Sequence, residues 1–165
     1  MKPRKEPRPL ESLGDLKSYA LWLLSSREYS QARMLTKLSG RCADKDLVDG
    51  CLSELLESNY LSDERMTQSY VRMAVDKGSD GPMKIASKLM QKGIDRALIN
   101  EYLIPDDEIW LRNAAKTLSK KFKSPADSHE ARQKQARFLA NRGFMMDQIR
   151  YALDNAGEGD ESPFR

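Results

Sequence analysis

The chain has 165 residues, 28 Lys and Arg against 25 Asp and Glu, a formal charge of +3, and 39% apolar against 32% charged residues. That length suits one domain or a few small repeats sharing a core, and a sequence pI near 8.8 falls below the range of dedicated DNA-binding domains, so affinity for bare DNA is expected to be modest and salt-sensitive. Two cysteines without a CxxC pair and a single histidine exclude a disulfide framework and a four-ligand zinc site. No apolar run approaches the roughly 18 residues of a membrane span, and the basic N-terminus lacks the apolar core of a signal peptide. A cytoplasmic protein is expected.

Taken in order, residues 1–14 carry prolines among Lys and Arg and are read as a basic, Pro-rich disordered arm. Asp15 is the expected cap of a first helix with Leu16, Tyr19, Ala20, Leu23 and Leu24 as its stripe. Ser30 caps a second, with Met34, Leu35 and Leu38 inward and Gly40 as its stop. Asp44 caps a third, in which Leu47, Val48, Cys51, Leu52, Leu55 and Leu56 face the core and Asn59 ends the run.

The middle of the chain repeats the plan with helices over 63–77, 82–92 and 95–103. Ser62 or Asp63 caps the first, Gly78 stops it, and Gly81-Pro82 starts the next with proline at a position that needs no N–H. Pro105 closes the third. Asp106, Asp107 and Glu108 suit the start of another helix, which runs to about Phe122 with Trp110, Ala114 and Leu118 inward. Ser124-Pro125-Ala126-Asp127 reads as a capping box for a long helix ending at Arg142 and Gly143. A last helix carries Ile149, Ala152 and Leu153, and residues 157–165 read as an acidic flexible tail.

An all-α fold of three helices, three times, follows. Leu38, Leu89 and Leu139 recur at offsets of 51 and 50 residues, as do Val48, Ile99 and Ile149, then Leu52, Leu103 and Leu153, then Cys42, Gly93 and Gly143. The expected repeats are 15–61, 62–105 and 106–156, with extra residues around Ser124–Glu130. Each trio is too small to bury its own apolar faces, so stacked neighbours in an elongated or curved solenoid-like body are expected.

Residues 60–94 carry an ordered set of motifs. Tyr60, Leu61, Asp63, Arg65, Tyr70, Val71, Gly81, Ile85, Leu89, Lys92, Gly93 and Ile94 fit the pattern G-Y-L-D-D-x-R-F, then Tyr-Val, then G-x-x-R-I-x-x-E-L-x-x-K-G-I. Asn59, Ser62, Met66, Lys84 and Lys88 depart from it. In the first trio Arg27, Ser30, Lys37 and Leu38 fit R-x-x-S-x-x-E-L-x-x-K-L, with Arg33 in place of Glu and Met34 in place of Leu. In the third, Arg137, Phe138, Leu139, Arg142, Gly143, Phe144 and Ile149 fit R-F-L-x-x-R-G-F followed by Ile. Over residues 15–155 the chain resembles the RecX family, regulators of the bacterial recombinase RecA. The resemblance implies tandem three-helix repeats that bind RecA along the groove of its DNA filament. It implies inhibition of recombinase, ATPase and coprotease activities, and so modulation of recombination, DNA repair and the SOS response. DNA would be contacted weakly or within the filament, by a monomer and with no covalent step.

No catalytic constellation is present. His129 is placed in a polar turn as a surface residue, there is no phosphate-cradling glycine motif, and no metal or cofactor is expected. The basic positions are the candidate contacts for RecA or DNA: Arg27, Arg33, Lys37, Arg41, Arg65, Arg72, Lys84, Lys88, Lys92, Arg132, Lys134, Arg137 and Arg142. In repeat register Arg33, Lys84 and Lys134 coincide, as do Arg41, Lys92 and Arg142, and Lys37 with Lys88. The last cations of a helix complement its dipole, whereas Arg33 and Lys84 lie near helix starts where the dipole disfavours them. Tyr19, Trp22, Tyr70, Trp110 and Phe122 are read as core, and Phe138 and Phe144 beside Arg137 and Arg142 as an apolar–basic contact site. Two alternatives stand beside the regulator: an independent DNA-binding protein with helix-turn-helix-like trios, and a helical adaptor for another protein.

Overall fold

A computed structural model describes residues 8–157 of the chain. Among the described residues there are nine helices and no strand: α1 Leu13–Leu24, α2 Gln31–Ser39, α3 Lys45–Glu57, α4 Asp63–Lys77, α5 Pro82–Gln91, α6 Arg96–Tyr102, α7 Ile109–Lys121, α8 His129–Asn141 and α9 Met146–Asp154. The chain divides into two compact units. The first runs up to Thr67 and includes Gln91–Asp95; the second holds Gln68–Met90 and the residues from Arg96 on.

In the first unit α1 and α2 pack on α3. Leu16, Ala20, Met34, Leu38, Cys51 and Leu55 are fully buried there, each large aliphatic side chain contributing about 1.5–3 kcal/mol by leaving water. The cap of α1 differs from the sequence expectation. Ser12, not Asp15, is the N-cap: its Oγ accepts from the Asp15 N–H at 3.1 Å and donates to the Asp15 carboxylate at 2.8 Å. The helix therefore begins inside the segment read as a disordered arm. Leu10 is held too, its N–H donating to the Arg41 carbonyl at 2.7 Å, and it packs on the core. Residues 1–7 of that arm, and 158–165 of the tail, lie outside the described residues.

Ser30 and Asp44 cap α2 and α3 through bonds to Arg33 N and to Asp46 N and Leu47 N. Asn59 takes a left-handed φ of 57° beyond α3. Ser62 caps α4 by accepting from Arg65 N at 3.1 Å. Asp63 serves a different helix: its Oδ1 accepts the Gln31 N–H at 2.7 Å, at the first position of α2. Burial pushes the Asp63 carboxyl up, against that hydrogen bond. Two residues placed in the core are exposed. Trp22 is 69% accessible and Leu35 39%, because each lies at the edge of an apolar stripe wider than the surface α3 covers.

In the second unit α7 and α9 form the most extensive helix pair, around Ala114, Leu118, Leu139, Phe144, Ile149 and Ala152. Trp110 is buried, its Nε1 donating to the Ile104 carbonyl at 2.8 Å. Gln148 is buried at the start of α9, where it accepts from Met145 N and donates to the Pro105 carbonyl. The apolar repeat register reappears as burial: Leu38, Leu89 and Leu139 are 0% exposed, and Val48, Ile99 and Ile149 no more than 4%.

Two expectations for α8 are corrected. Ser124–Asp127 is not its cap; Ser128 is, with its Oγ accepting from Ala131 N at 3.1 Å, so the extra residues form a longer loop. His129 is then the first residue of α8, exposed and 2.9 Å from Gln133 Nε2, rather than part of a turn. Met73 and Met90, assigned to apolar faces, are 63% and 46% exposed.

Gly81 and Gly143 do more than end helices. Gly81 N–H donates to the Arg142 carbonyl at 2.7 Å and Met83 N–H to the Gly143 carbonyl at 3.0 Å. The two backbones touch, so a Cβ on Gly81 would strike Gly143 and Phe144, and one on Gly143 would strike the backbone of Lys84. Gly143 also has φ +82°, where an L side chain costs about 1–2 kcal/mol. Gly143→Ala is therefore expected to lower stability by at least that amount in urea denaturation. Gly40→Ala, at φ −73° with only ordinary contacts around it, is expected to be neutral or slightly stabilising. Equal losses at the two sites would contradict the close approach.

Candidate functional site

The thirteen basic candidates separate into three groups. In the first unit several are committed to the fold. Arg65 reaches back from α4 to grip the preceding turn: Nε lies 2.7 Å from Glu28 Oε1, Nη2 3.3 Å from Oε2, and further bonds go to the Asn59 and Tyr60 carbonyls. Arg27 lies over the Tyr29 ring at 5.1 Å and donates to its hydroxyl. Arg41 stacks on Tyr19 at 4.7 Å and donates to the Arg8 carbonyl, while its Nε is buried with no partner. Tyr19 stacks in turn on the exposed Trp22, with ring centroids 6.2 Å apart. Lys92 acts through its backbone, its carbonyl accepting from the buried Ser30 hydroxyl.

A second group surrounds one carboxylate in the second unit. Asp80, just before α5, accepts from Lys84 at 3.1 Å and from Lys88, with Arg142 at 3.8 Å. This explains Lys84 near a helix start: the neighbouring carboxylate offsets the unfavourable dipole, so the expectation that local stability leaves Lys84 unaccounted for is corrected. Burial pushes the Asp80 carboxyl up, but the hydrogen bonds and charges of Lys88 and Lys84 outweigh it and hold it below the usual carboxylate range. Arg132 forms an exposed pair with Asp154 at 2.5 Å, of the kind that contributes at most about 1 kcal/mol.

A third group is exposed and makes no ion pair among the described residues: Arg33, Lys37, Arg72, Lys134 and Arg137. Arg33 and Lys37 lie four residues apart on α2 and so share a face.

Beyond these, the fold brings together cations that the sequence reading did not single out. The C-terminal turn of α4 is tied to α7: Asn113 Nδ2 donates to the Val75 carbonyl at 3.0 Å, and Thr117 Oγ1 to the Gly78 carbonyl at 2.7 Å. These bonds set Lys77 beside Lys120 and Lys121, all in the last turns of their helices. Arg142 completes the ring from the end of α8, with its guanidinium over Phe138 at 5.4 Å. The result is a cleft of about 220 Å³, also lined by Ser79, Thr117 and Phe138. Phe138 is fixed edge-on against Phe122 at 5.5 Å. Phe144, expected beside it at the surface, is instead 4% exposed in the core. The run Lys120-Lys121 was visible in the sequence; its meeting with Lys77 and Arg142 depended on packing between helices.

Among the described residues no group of three or more His, Cys, Asp or Glu side chains is placed to hold a metal ion, and no helix is long and apolar enough to cross a membrane. Cys42 and Cys51 are free and buried, and burial pushes the Cys51 thiol up.

Residues 62–103 match the model of the second three-helix domain of RecX, and residues 107–153 that of its third. The chain belongs to the RecX family. The regulatory protein RecX of Halorhodospira halophila is 38% identical over 144 residues, covering 86% of this chain and 88% of that one. RecX of Chromohalobacter salexigens is 34% identical over 84% of this chain and 91% of its own, and that of Neisseria gonorrhoeae 35% over 94% of both. The crystal structure of RecX from Lactobacillus salivarius shares the fold, with a TM-score of 0.76 at 22% identity over 87% of this chain and 95% of that one. Arg65 is thus a staple for the start of α4, and Gly81 a site of close backbone approach.

The Asp80 cluster gives a pH prediction. A carboxyl held below its ordinary value stabilises the fold fully above the unfolded-state pKa, about 3.9, and that contribution is lost as pH falls through the depressed value. Asp80→Asn is expected to lower stability at pH 7 by about 1 kcal/mol, the scale of a part-exposed ion pair. The variant's urea midpoint should also fall less steeply than the wild type's between pH 5 and 3. Parallel acid profiles would contradict the account.

Proposed function

We propose that this RecX-family protein regulates RecA by binding the RecA–DNA filament and inhibiting its recombinase, ATPase and coprotease activities. Membership of a family of regulatory proteins over nearly the whole chain carries the reading. The regulator works as a cytoplasmic monomer through steric and allosteric contact, with no covalent step and no cofactor. The three-helix repeats 15–61, 62–105 and 106–156 serve as its binding modules.

The exposed cations that make no ion pair, Arg33 and Lys37 on α2 with Arg72, Lys134 and Arg137, are the proposed contacts. Arg33 lies near the start of α2, where the dipole disfavours a cation, and no carboxylate is paired with it among the described residues. An anionic face on the partner accounts for a cation at that place.

The test is ATP hydrolysis by the cognate RecA on single-stranded DNA, titrated with this protein. Hydrolysis is expected to fall at well below one molecule per RecA, and no fall at excess would overturn the reading. Arg33→Glu with Lys37→Glu is expected to raise the half-inhibiting concentration by about tenfold, the equivalent of roughly 1.4 kcal/mol, with unchanged helical circular dichroism.

A further inference from the structure

The cleft at the ends of α4, α7 and α8 holds four cations, and no carboxylate lines it. We propose that it is a binding site for the phosphate backbone of a single strand of nucleic acid, a function that stands whether or not RecA is the partner.

Lys77, Lys120 and Lys121 form no ion pair among the described residues. Arg142 lies at a long 3.8 Å from an Asp80 already engaged by Lys84 and Lys88. The helix dipole accounts for each lysine alone, since each lies in the last turn of its helix. It does not account for their meeting. Like charges gathered at one place repel, and a fold that keeps them together without a carboxylate leaves an anion to do the neutralising. The bonds from Asn113 and Thr117 that force the meeting come from side chains 7% and 8% exposed, so the cleft is fixed by packing.

The lining favours a nucleic-acid strand over an acidic peptide. Phe138, held edge-on by Phe122 and covered on a face by Arg142, provides an apolar wall for that sugar. Three of the four cations are lysines, which engage phosphate as mobile point charges without demanding one geometry. Successive phosphates at short spacing can use such a cluster, and binding that rests on them carries a steep salt dependence.

The test is fluorescence anisotropy of an end-labelled oligothymidylate with the full chain and no RecA, across a salt series. Lys120→Gln with Lys121→Gln is expected to weaken binding about tenfold. It should reduce the log–log salt slope by about 1.4, from roughly 0.7 for each lost phosphate contact on a single strand. Lys120→Arg with Lys121→Arg is expected to retain binding. Lys45→Gln with Arg150→Gln removes equal charge at exposed positions outside every proposed contact and is expected to change affinity less than about twofold. Acetylation footprinting of the unaltered protein supplies a check free of substitutions: the oligonucleotide should protect Lys77, Lys120 and Lys121 and leave Lys45 reactive. Equal effects of the cleft and the Lys45 and Arg150 substitutions, uniform protection of all lysines, or competition by polyglutamate as strong as by the oligonucleotide would each overturn the proposal. Because RecA is absent, none of these outcomes bears on the ATPase result.

Discussion

A single backbone arrangement recurs and the rest of the structure depends on it. The carbonyl just beyond a repeat's second helix accepts a hydrogen bond from the segment before it. The Arg142 carbonyl takes the Gly81 N–H at the start of α5. The Lys92 carbonyl takes the Ser30 hydroxyl at the start of α2. The Arg41 carbonyl, in the first repeat, takes the Leu10 N–H. A helix end leaves carbonyls without partners and a helix start leaves N–H groups without partners. At the joint between the end of α8 and the start of α5, joining one to the other satisfies both.

The joint imposes its own sequence requirement. Backbones can touch only where no Cβ intervenes, which explains Gly143 against Lys84 and Gly81 against Phe144, while a Cβ on Gly93 would strike the Ala32 side chain. It also gives the register of Arg41, Lys92 and Arg142 a structural meaning at the backbone, while their side chains go to different ends. Arg41 stacks on Tyr19, and Arg142 turns between Asp80, Phe138 and the basic cleft. A basic residue at a repeated position is thus not evidence of a repeated binding contact.

Local signals were legible in the sequence because their physics is local. Ser30, Asp44 and Ser62 cap the helices they precede, Pro82 opens α5, and the spacing of Leu38, Leu89 and Leu139 marks the core. Ser12 was legible in principle, since a Ser three residues before an Asp is a reciprocal capping pair, and it competed successfully with Asp15. Ser128 caps α8 in place of Ser124 through a single bond from Ala131 N. Apolar periodicity could not say how wide a stripe the neighbouring helix covers, so Trp22 and Leu35 were misplaced. The cleft was beyond reach for another reason: Lys77 and Lys120 meet through the Asn113 and Thr117 bonds to the end of α4, and Arg142 joins them from beyond α8, its carbonyl held by the Gly81 N–H. Lys84 was misjudged because its partner, Asp80, precedes the helix rather than lying within it.

The central claim is that these carbonyl joints hold as firmly as the helices they connect. Amide hydrogen exchange, read residue by residue, tests it directly. The Gly81 and Met83 amides lie outside any intrahelical ladder, and the account predicts protection comparable to the interiors of α5 and α8, lost only on global unfolding. Exchange of these two amides at the rate of an open turn, with the helices protected, would contradict it.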